Sequence, residues 1–183
     1  MTVDRQKLRW FTIVFGLLVL VSYGYGLPHA EDKAALWGGV PATWQIGITF
    51  CMGLAAVGFL TYWWVSLFRW EETTIAKMCW PWQTPDTHGM RRLVGAYALL
   101  LIPSALWLEA TLYHMTQPSS WSHLLSIGTL TFAAAGAISL TLLGYGSWKQ
   151  GLPGAKRMTI GGLMVCLQVV INDWIIWTLH FPW

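Results

Sequence analysis

Two carboxylates stand where carboxylates are expensive. Asp173 lies in the closing stretch VVINDWIIWTLHFPW, residues 169–183, where ten of fifteen side chains are Val, Ile, Leu, Phe or Trp, and Glu109 lies in the apolar run 93–113. Around Asp173 the spacing is helical. Gln168 and Asn172 are four apart and share one face, while Cys166, Asp173 and His180, seven apart each, line a second, nearby face. The run that carries Glu109 also holds Pro103 followed by Ser104. Pro103 removes a backbone donor and crowds the carbonyl of Leu99, which predicts a kink with room beside it for side chains, ligand or water. Four histidines, His29, His114, His123 and His180, fall at the ends of apolar runs. Three chemistries fit such a set: a metal site, ligation of a tetrapyrrole, or a proton pathway through Glu109 and Asp173 with Asn172, Gln168 and Pro103 beside it. The plainer alternative is helix-to-helix hydrogen bonding by the acids, with the histidines as interfacial caps. An intramembrane acid is costly and commonly lines a pathway, which weighs the two alternatives evenly for the acid pair. For any single histidine the plain alternative outweighs the ligand. No two of them sit three or four apart on one helix, so a metal site would be assembled across helices.

These residues are positioned by apolar segments. Hydrophobic residues make up 55% of the 183 and charged residues 10%, too few charges to solvate a soluble surface. A bilayer core of about 30 Å needs about 20 apolar residues in a helix. Five segments qualify, at approximately 10–26, 44–68, 93–113, 123–148 and 159–181. Helices satisfy their own backbone where water is absent. None of the segments alternates as an outer-membrane barrel strand does. The expected fold is an all-α integral membrane bundle of five transmembrane helices with short loops, one transmembrane domain over residues 1–183. The basic start, apolar run and small residue at Ala30 are also features of a signal peptide, but Pro28 suits the cleavage site poorly, and the segment is read as a span.

Lys and Arg set the orientation. With the N-terminus inside, Arg5, Lys7, Arg9, Arg69, Lys77, Arg91, Arg92, Lys149, Lys156 and Arg157 are inside and only Lys33 is outside. The expectation is N-in and C-out, in a bacterial inner membrane or another cell or organellar membrane. The fourteen Trp divide evenly between the two boundaries, as interfacial anchors do. In this topology Glu109 and Asp173 lie about 24 Å and about 21 Å along their helices from the inner side, at similar depth. His29, His114, His123 and His180 join them in the outer half, with Glu31 and Asp32 above.

Residues 27–43 leave room for one helical turn before Gly38-Gly39, and residues 115–122 make a tight connection at Pro118. The inner loop from Arg69 to Arg92 opens with a stretch that suits a short interfacial helix, ended by Pro81 and Pro85. Short loops make consecutive helices antiparallel neighbours. Small residues mark the close crossings: Gly128, Gly136 and Gly144 with Ala133, Ala137, Ala135 and Ser139 in the fourth span, Gly53, Ala56 and Gly58 in the second, Gly161-Gly162 in the fifth. Cys51, Cys79 and Cys166 have no metal or redox spacing and read as packing residues. There is no Gly-rich phosphate loop, and nucleic acid is not an expected partner.

In size and Trp content the chain is similar to the tryptophan-rich translocators and to five-span subunits of respiratory and photosynthetic complexes. The Trp/Pro signature and WNxxW-type pattern of the translocators are absent, so no residue is carried over. No catalytic motif is visible. The expected function is a non-catalytic membrane subunit or oligomer that works through helix packing in the lipid bilayer, associating with itself or other subunits through its small-residue faces. It has room for an apolar cofactor, pigment, tetrapyrrole or lipid, none of which the sequence demands. The alternatives are a small transporter or proton-coupled channel using Glu109 and Asp173, and a membrane-embedded metal enzyme with an outer His/carboxylate site.

Overall fold

Five helices carry the chain back and forth. The computed structural model describes residues 4–30 and 32–183, so Glu31 lies outside the described residues. Helix α1 is Arg5–His29, α2 is Ala42–Trp64, α3 is the short Glu72–Ala76, α4 is Gly89–Thr116, α5 is Ser120–Lys149, α6 is Ala155–Cys166 and α7 is Thr178–His180. A 3₁₀ turn, Ala35–Trp37, sits in the loop before α2. Two stretches widen to π geometry: Val65–Arg69 continues α2, and Leu167–Trp177 joins α6 to α7. There are no strands among the described residues. The five continuous helical segments Arg5–His29, Ala42–Arg69, Gly89–Thr116, Ser120–Lys149 and Ala155–His180 are each long and apolar enough to cross a membrane. All five expected spans appear, and each helix continues into polar residues at its ends.

Local chemistry sets those ends. The Asp4 side chain accepts from the Gln6 amide at 3.1 Å and caps α1. Ser119 and Ser122 form a reciprocal capping box at the start of α5, satisfying two amides that the first turn leaves free. Gly154, at φ +83°, ends the turn before α6 in a left-handed conformation that a side chain rarely adopts.

Helix α5 is the centre of the bundle: half of its apolar window is buried, against about a tenth for α1. It packs between α4 and α6, while α1 lies on α4 and α2 on α6. The expectation that all consecutive spans are neighbours therefore holds from α4 to α6 but not for α1 with α2 or for α2 with α4. The connection between α1 and α2, about twelve residues, reaches up to roughly 40 Å when extended, enough to cross the bundle. At the basic end α2 reaches α1 and α4 through polar atoms. The Trp63 Nε1–H donates to Thr12 Oγ1 at 2.8 Å, and the Ser66 and Tyr97 hydroxyls bond at 3.0 Å in the buried interior.

Several predicted small-residue crossings lie inside this chain. A Cβ added at Gly136 would overlap the backbone of Leu99 and Leu100 on α4. Gly58 and Gly161 face each other across the α2–α6 crossing, where a Cβ on Gly58 would lie 2.5 Å from the Gly161 carbonyl oxygen. Gly144 and Gly162 seat the α5–α6 contact. Gly53 and Gly128 meet nothing.

The basic ends of the helices gather together. Arg9 Nε donates to the Leu67 carbonyl at 2.7 Å and Arg5 Nη1 to the Trp70 carbonyl at 2.5 Å. Arg92 holds Asp86 through two bonds of 2.7 and 2.6 Å and also reaches the Met78 carbonyl at 2.9 Å. Lys149 Nζ bonds the Pro81 carbonyl at 3.0 Å. Arg5, Arg92 and Lys149 thereby satisfy carbonyls of the 70–88 connection, whose Ile75 and Met78 are fully buried. Trp use is more varied than interfacial anchoring: Trp70 and Trp177 are core residues, 3% and 5% exposed, whereas Trp10, Trp64, Trp82 and Trp148 are exposed toward the basic end and Trp44, Trp121 and Trp183 toward the other.

Candidate ligand-binding site

The stretch Leu167–Trp177 decides what happens to Asp173. In an α-helix Gln168 and Asn172 would share a face and Asp173 would belong to another. In the π stretch, backbone bonds run from i to i+5, and residues five apart come into register. Gln168 Nε2 donates to Asp173 Oδ1 at 2.7 Å, and Asn172 Nδ2 donates to Gln168 Oε1 at 3.0 Å. The three side chains form one chain of hydrogen bonds, with Gln168 and Asn172 buried. The other two members of the expected Cys166–Asp173–His180 face are elsewhere, because the wider turn shifts the register. Cys166 Sγ lies 3.2 Å from Thr141 Oγ1 on α5, and His180 sets its ring edge-on to Trp44 of α2 while its Nδ1 bonds the Ile176 carbonyl.

Asp173 lines a cavity of about 330 Å³ bounded by α1, α2, α4, the π stretch and the loop before α2. Its walls are largely apolar: the aromatic Tyr23, Trp37, Trp107 and Trp177 stand among aliphatic side chains, with Ile48 and Met52 from α2, and Lys33 comes from the loop. Trp107 meets Trp177 edge-on at 5.3 Å and Tyr23 at 6.2 Å. The polar atoms at this site without a hydrogen-bond partner among the described residues include Asp173 Oδ2 and the buried Trp107 Nε1, with the Tyr23 hydroxyl and Lys33 Nζ. The loop that carries Trp37 is held by the C-terminal helix end. Gly39 N–H donates to the His180 carbonyl and Trp177 Nε1–H to the Leu36 carbonyl, both at 2.8 Å.

Glu109 does not share this cavity. Trp107 and Leu108 line it, but the next residue turns to the other side of α4, where Glu109 opens onto a groove against α1 lined by Phe15, Leu18 and Tyr25. The two acids expected in one outer cluster therefore line different cavities, each walled in part by α1 and α4. Helix α4 runs unbroken past Pro103, which lines neither cavity; Ser104 Oγ bonds the Leu100 carbonyl at 2.6 Å beside it. The histidines divide too. His114 is buried with Nδ1 2.8 Å from Ser122 Oγ, its ring 5.9 Å from that of His123, which stacks on Trp183 at 4.3 Å. His29 caps the end of α1, its Nδ1 2.7 Å from the Tyr25 carbonyl. Among the described residues no three His, Cys, Asp or Glu side chains converge as a metal centre would require.

Protein-family models, curated proteins and solved structures give no match to this chain.

The arrangement suits binding more than bond-making. A volume near the small end of the range for small-molecule sites and apolar walls, with Asp173 and Lys33 as the charged groups, are the features of a small-molecule pocket. Aromatic faces attract a cation by about 0.5–2 kcal/mol each, most strongly where water is excluded. The sequence singled out Asp173, Asn172 and Gln168, which the structure joins by hydrogen bonds, but not the aromatic side chains beside them. Trp107 and Trp177 read as interfacial anchors because Trp is so abundant here. The one available signal was Trp177 four residues after Asp173.

Proposed function

We propose that this chain is an integral membrane protein, N-terminus and basic end inside and C-terminus outside, that binds a small amphiphile in the outer-half cavity of Asp173. The ligand has a cationic or hydrogen-bond-donating head that meets Asp173 and an apolar body that lies among Trp37, Trp107, Trp177 and Tyr23. The protein acts as a binding subunit, with no bond made or broken. One observation carries this reading: Asp173 keeps one carboxylate oxygen on Gln168 and leaves the other without a protein partner in an apolar-walled cavity. An acid at membrane depth costs about 2.5–3.5 kcal/mol at the helix centre, which a structural hydrogen bond to Gln168 alone does not require. Several small-residue faces that would serve a partner helix are occupied within the chain, so the cavity, and not an assembly face, supports the function.

The test is equilibrium retention of a long-chain alkylammonium and of an alkyl sulfonate of equal chain length by the detergent-solubilised protein. The wild type retains the ammonium preferentially. Asp173→Asn keeps the acceptor for Gln168 but loses the charge, and weakens ammonium binding by about tenfold or more, since a hydrogen bond to a charged group contributes about 1.5–3 kcal/mol. Equal retention of both probes by the wild type, or unchanged ammonium binding by the variant, would refute the proposal.

A further inference from the structure

A second groove, at the opposite end of the bundle from Asp173, has chemistry of the opposite sign. It lies between the basic ends of α2 and α6, with a volume of about 350 Å³. Val57, Leu60 and Trp64 form its apolar wall, all three more than half exposed, and Arg69 and Arg157 close its end. The backbone explains how an arginine comes to stand there. Residues 57, 61 and 64–65 repeat at α-helical spacing, and the next position on that face would be Phe68. The π turn over Val65–Arg69 inserts one extra residue, so Arg69 takes the place on the groove. Phe68 turns away and stacks on Trp64 at 5.0 Å, with the Arg9 guanidinium 4.6 Å above its ring. Arg157 comes from the first turn of α6, placed by the Gly58–Gly161 approach that brings the two helices together.

The two guanidinium groups differ from Arg5, Arg9 and Arg92 at this end; Arg91 is likewise without a partner among the described residues but does not line the groove. Arg5, Arg9 and Arg92 each donate to a backbone carbonyl, and Arg92 also pairs with Asp86. Among the described residues neither Arg69 nor Arg157 has a side-chain hydrogen bond or a carboxylate partner. Unpaired forked donors at the mouth of an apolar groove match a phosphodiester with hydrocarbon chains attached: the phosphate accepts from both forks, and an acyl chain lies along Val57 and Leu60.

We infer that the α2–α6 groove is a binding site for one anionic phospholipid, held by Arg69 and Arg157 through its phosphate and by the α2 face through an acyl chain. The inference shares with the proposed function only the membrane-spanning fold and is independent of the Asp173 cavity.

The test is native mass spectrometry of the full chain in detergent, titrated with phosphatidylglycerol or with phosphatidylcholine of the same acyl chains. Each basic side chain near an anionic headgroup contributes about fivefold in affinity, so Arg69→Gln/Arg157→Gln is expected to weaken phosphatidylglycerol binding about 25-fold, to the level of phosphatidylcholine. A Lys7→Gln/Arg91→Gln control removes two charges from the same end outside the groove and is expected to keep nearly all of the affinity. The Asp173→Asn variant is expected to bind phosphatidylglycerol as the wild type does, which separates this site from the outer cavity. Both arginine variants are compared at equal thermal stability in lipid-free detergent, with Arg69→Lys/Arg157→Lys as the charge-preserving partner that restores most of the binding. The inference is overturned by equal retention of the two lipids by the wild type. An equal loss in the Lys7/Arg91 control, or full competition by millimolar inorganic phosphate, overturns it as well.

Discussion

Replacing Gly58 by Ala tests the helix crossing on which both proposed sites depend. The added methyl would sit 2.5 Å from the Gly161 carbonyl oxygen and 2.8 Å from Met164 Cβ. A carbon and a carbonyl oxygen approach no closer than about 3.3 Å even in a favourable C–H···O contact, so α2 and α6 must part by about 0.8 Å. Neither obstacle is the far end of a flexible side chain, and the crossing cannot yield by a rotamer change. Overpacking of this kind costs about 1–3 kcal/mol. Against it stands the gain of about 0.5–1 kcal/mol from replacing a helical glycine by alanine. The net expectation is a loss of about 1–2 kcal/mol. Gly53, one and a half turns earlier on the same helix, provides the control, since a Cβ there meets nothing within 4 Å. Gly53→Ala keeps only the propensity gain and is expected to leave stability unchanged or raise it by up to about 1 kcal/mol. The assay is reversible unfolding in mixed micelles by denaturing detergent, followed by far-UV circular dichroism. Gly58→Ala should also weaken alkylammonium retention, because Ile48 and Met52 reach the Asp173 cavity from the helix that moves. If the two substitutions shift stability in the same direction and by the same amount, the backbone approach of α2 and α6 is not what holds these helices together.

Two further predictions concern the connection at the basic end. Burial pushes the Cys79 thiol above its ordinary value, so in a Cys51→Ser/Cys166→Ser background the folded chain requires higher pH for iodoacetamide labelling than the denatured chain. Because the folded value is raised, this contribution to stability is complete below about pH 8.5 and is lost as pH rises through the folded value; labelling profiles that coincide for folded and denatured chains would contradict it. The Arg92 guanidinium, and then the His88 amide, hold the Asp86 carboxyl well below the usual carboxylate range. Its contribution is therefore fully present above about pH 5 and is lost progressively as pH falls through about 3.9 toward the lower folded value. Asp86→Asn should remove this acid-dependent part from the thermal midpoint measured between pH 2 and pH 5; an unchanged pH profile would show that the pair is mechanically idle.

Length and composition were enough to read the five helical segments, because an apolar run long enough to cross a bilayer has few alternatives to a helix. The gathering of ten basic residues at one end followed from their alternation between loops, and the small residues at Gly58, Gly136 and Gly161 announced close crossings before any partner was known. Which helices would cross was not legible. Helix α1 lies on α4 and α2 on α6, since a connection of about twelve residues leaves that choice to packing. The site depended on backbone register more than on residue type. An α-helical count puts Asp173 on a different face from Gln168, and a π stretch of eleven residues joins them. The same device, in one turn, exchanges Phe68 for Arg69 on the α2–α6 groove. Glu109 and Asp173 looked equivalent by depth, but the rotation of α4 about its axis turns Glu109 onto a groove against α1, away from the cavity of Asp173. Periodicity fixes a face only when the period is known. In an apolar helix with polar residues at isolated positions, the period is chosen by the packing of neighbouring helices, which only the tertiary structure contains.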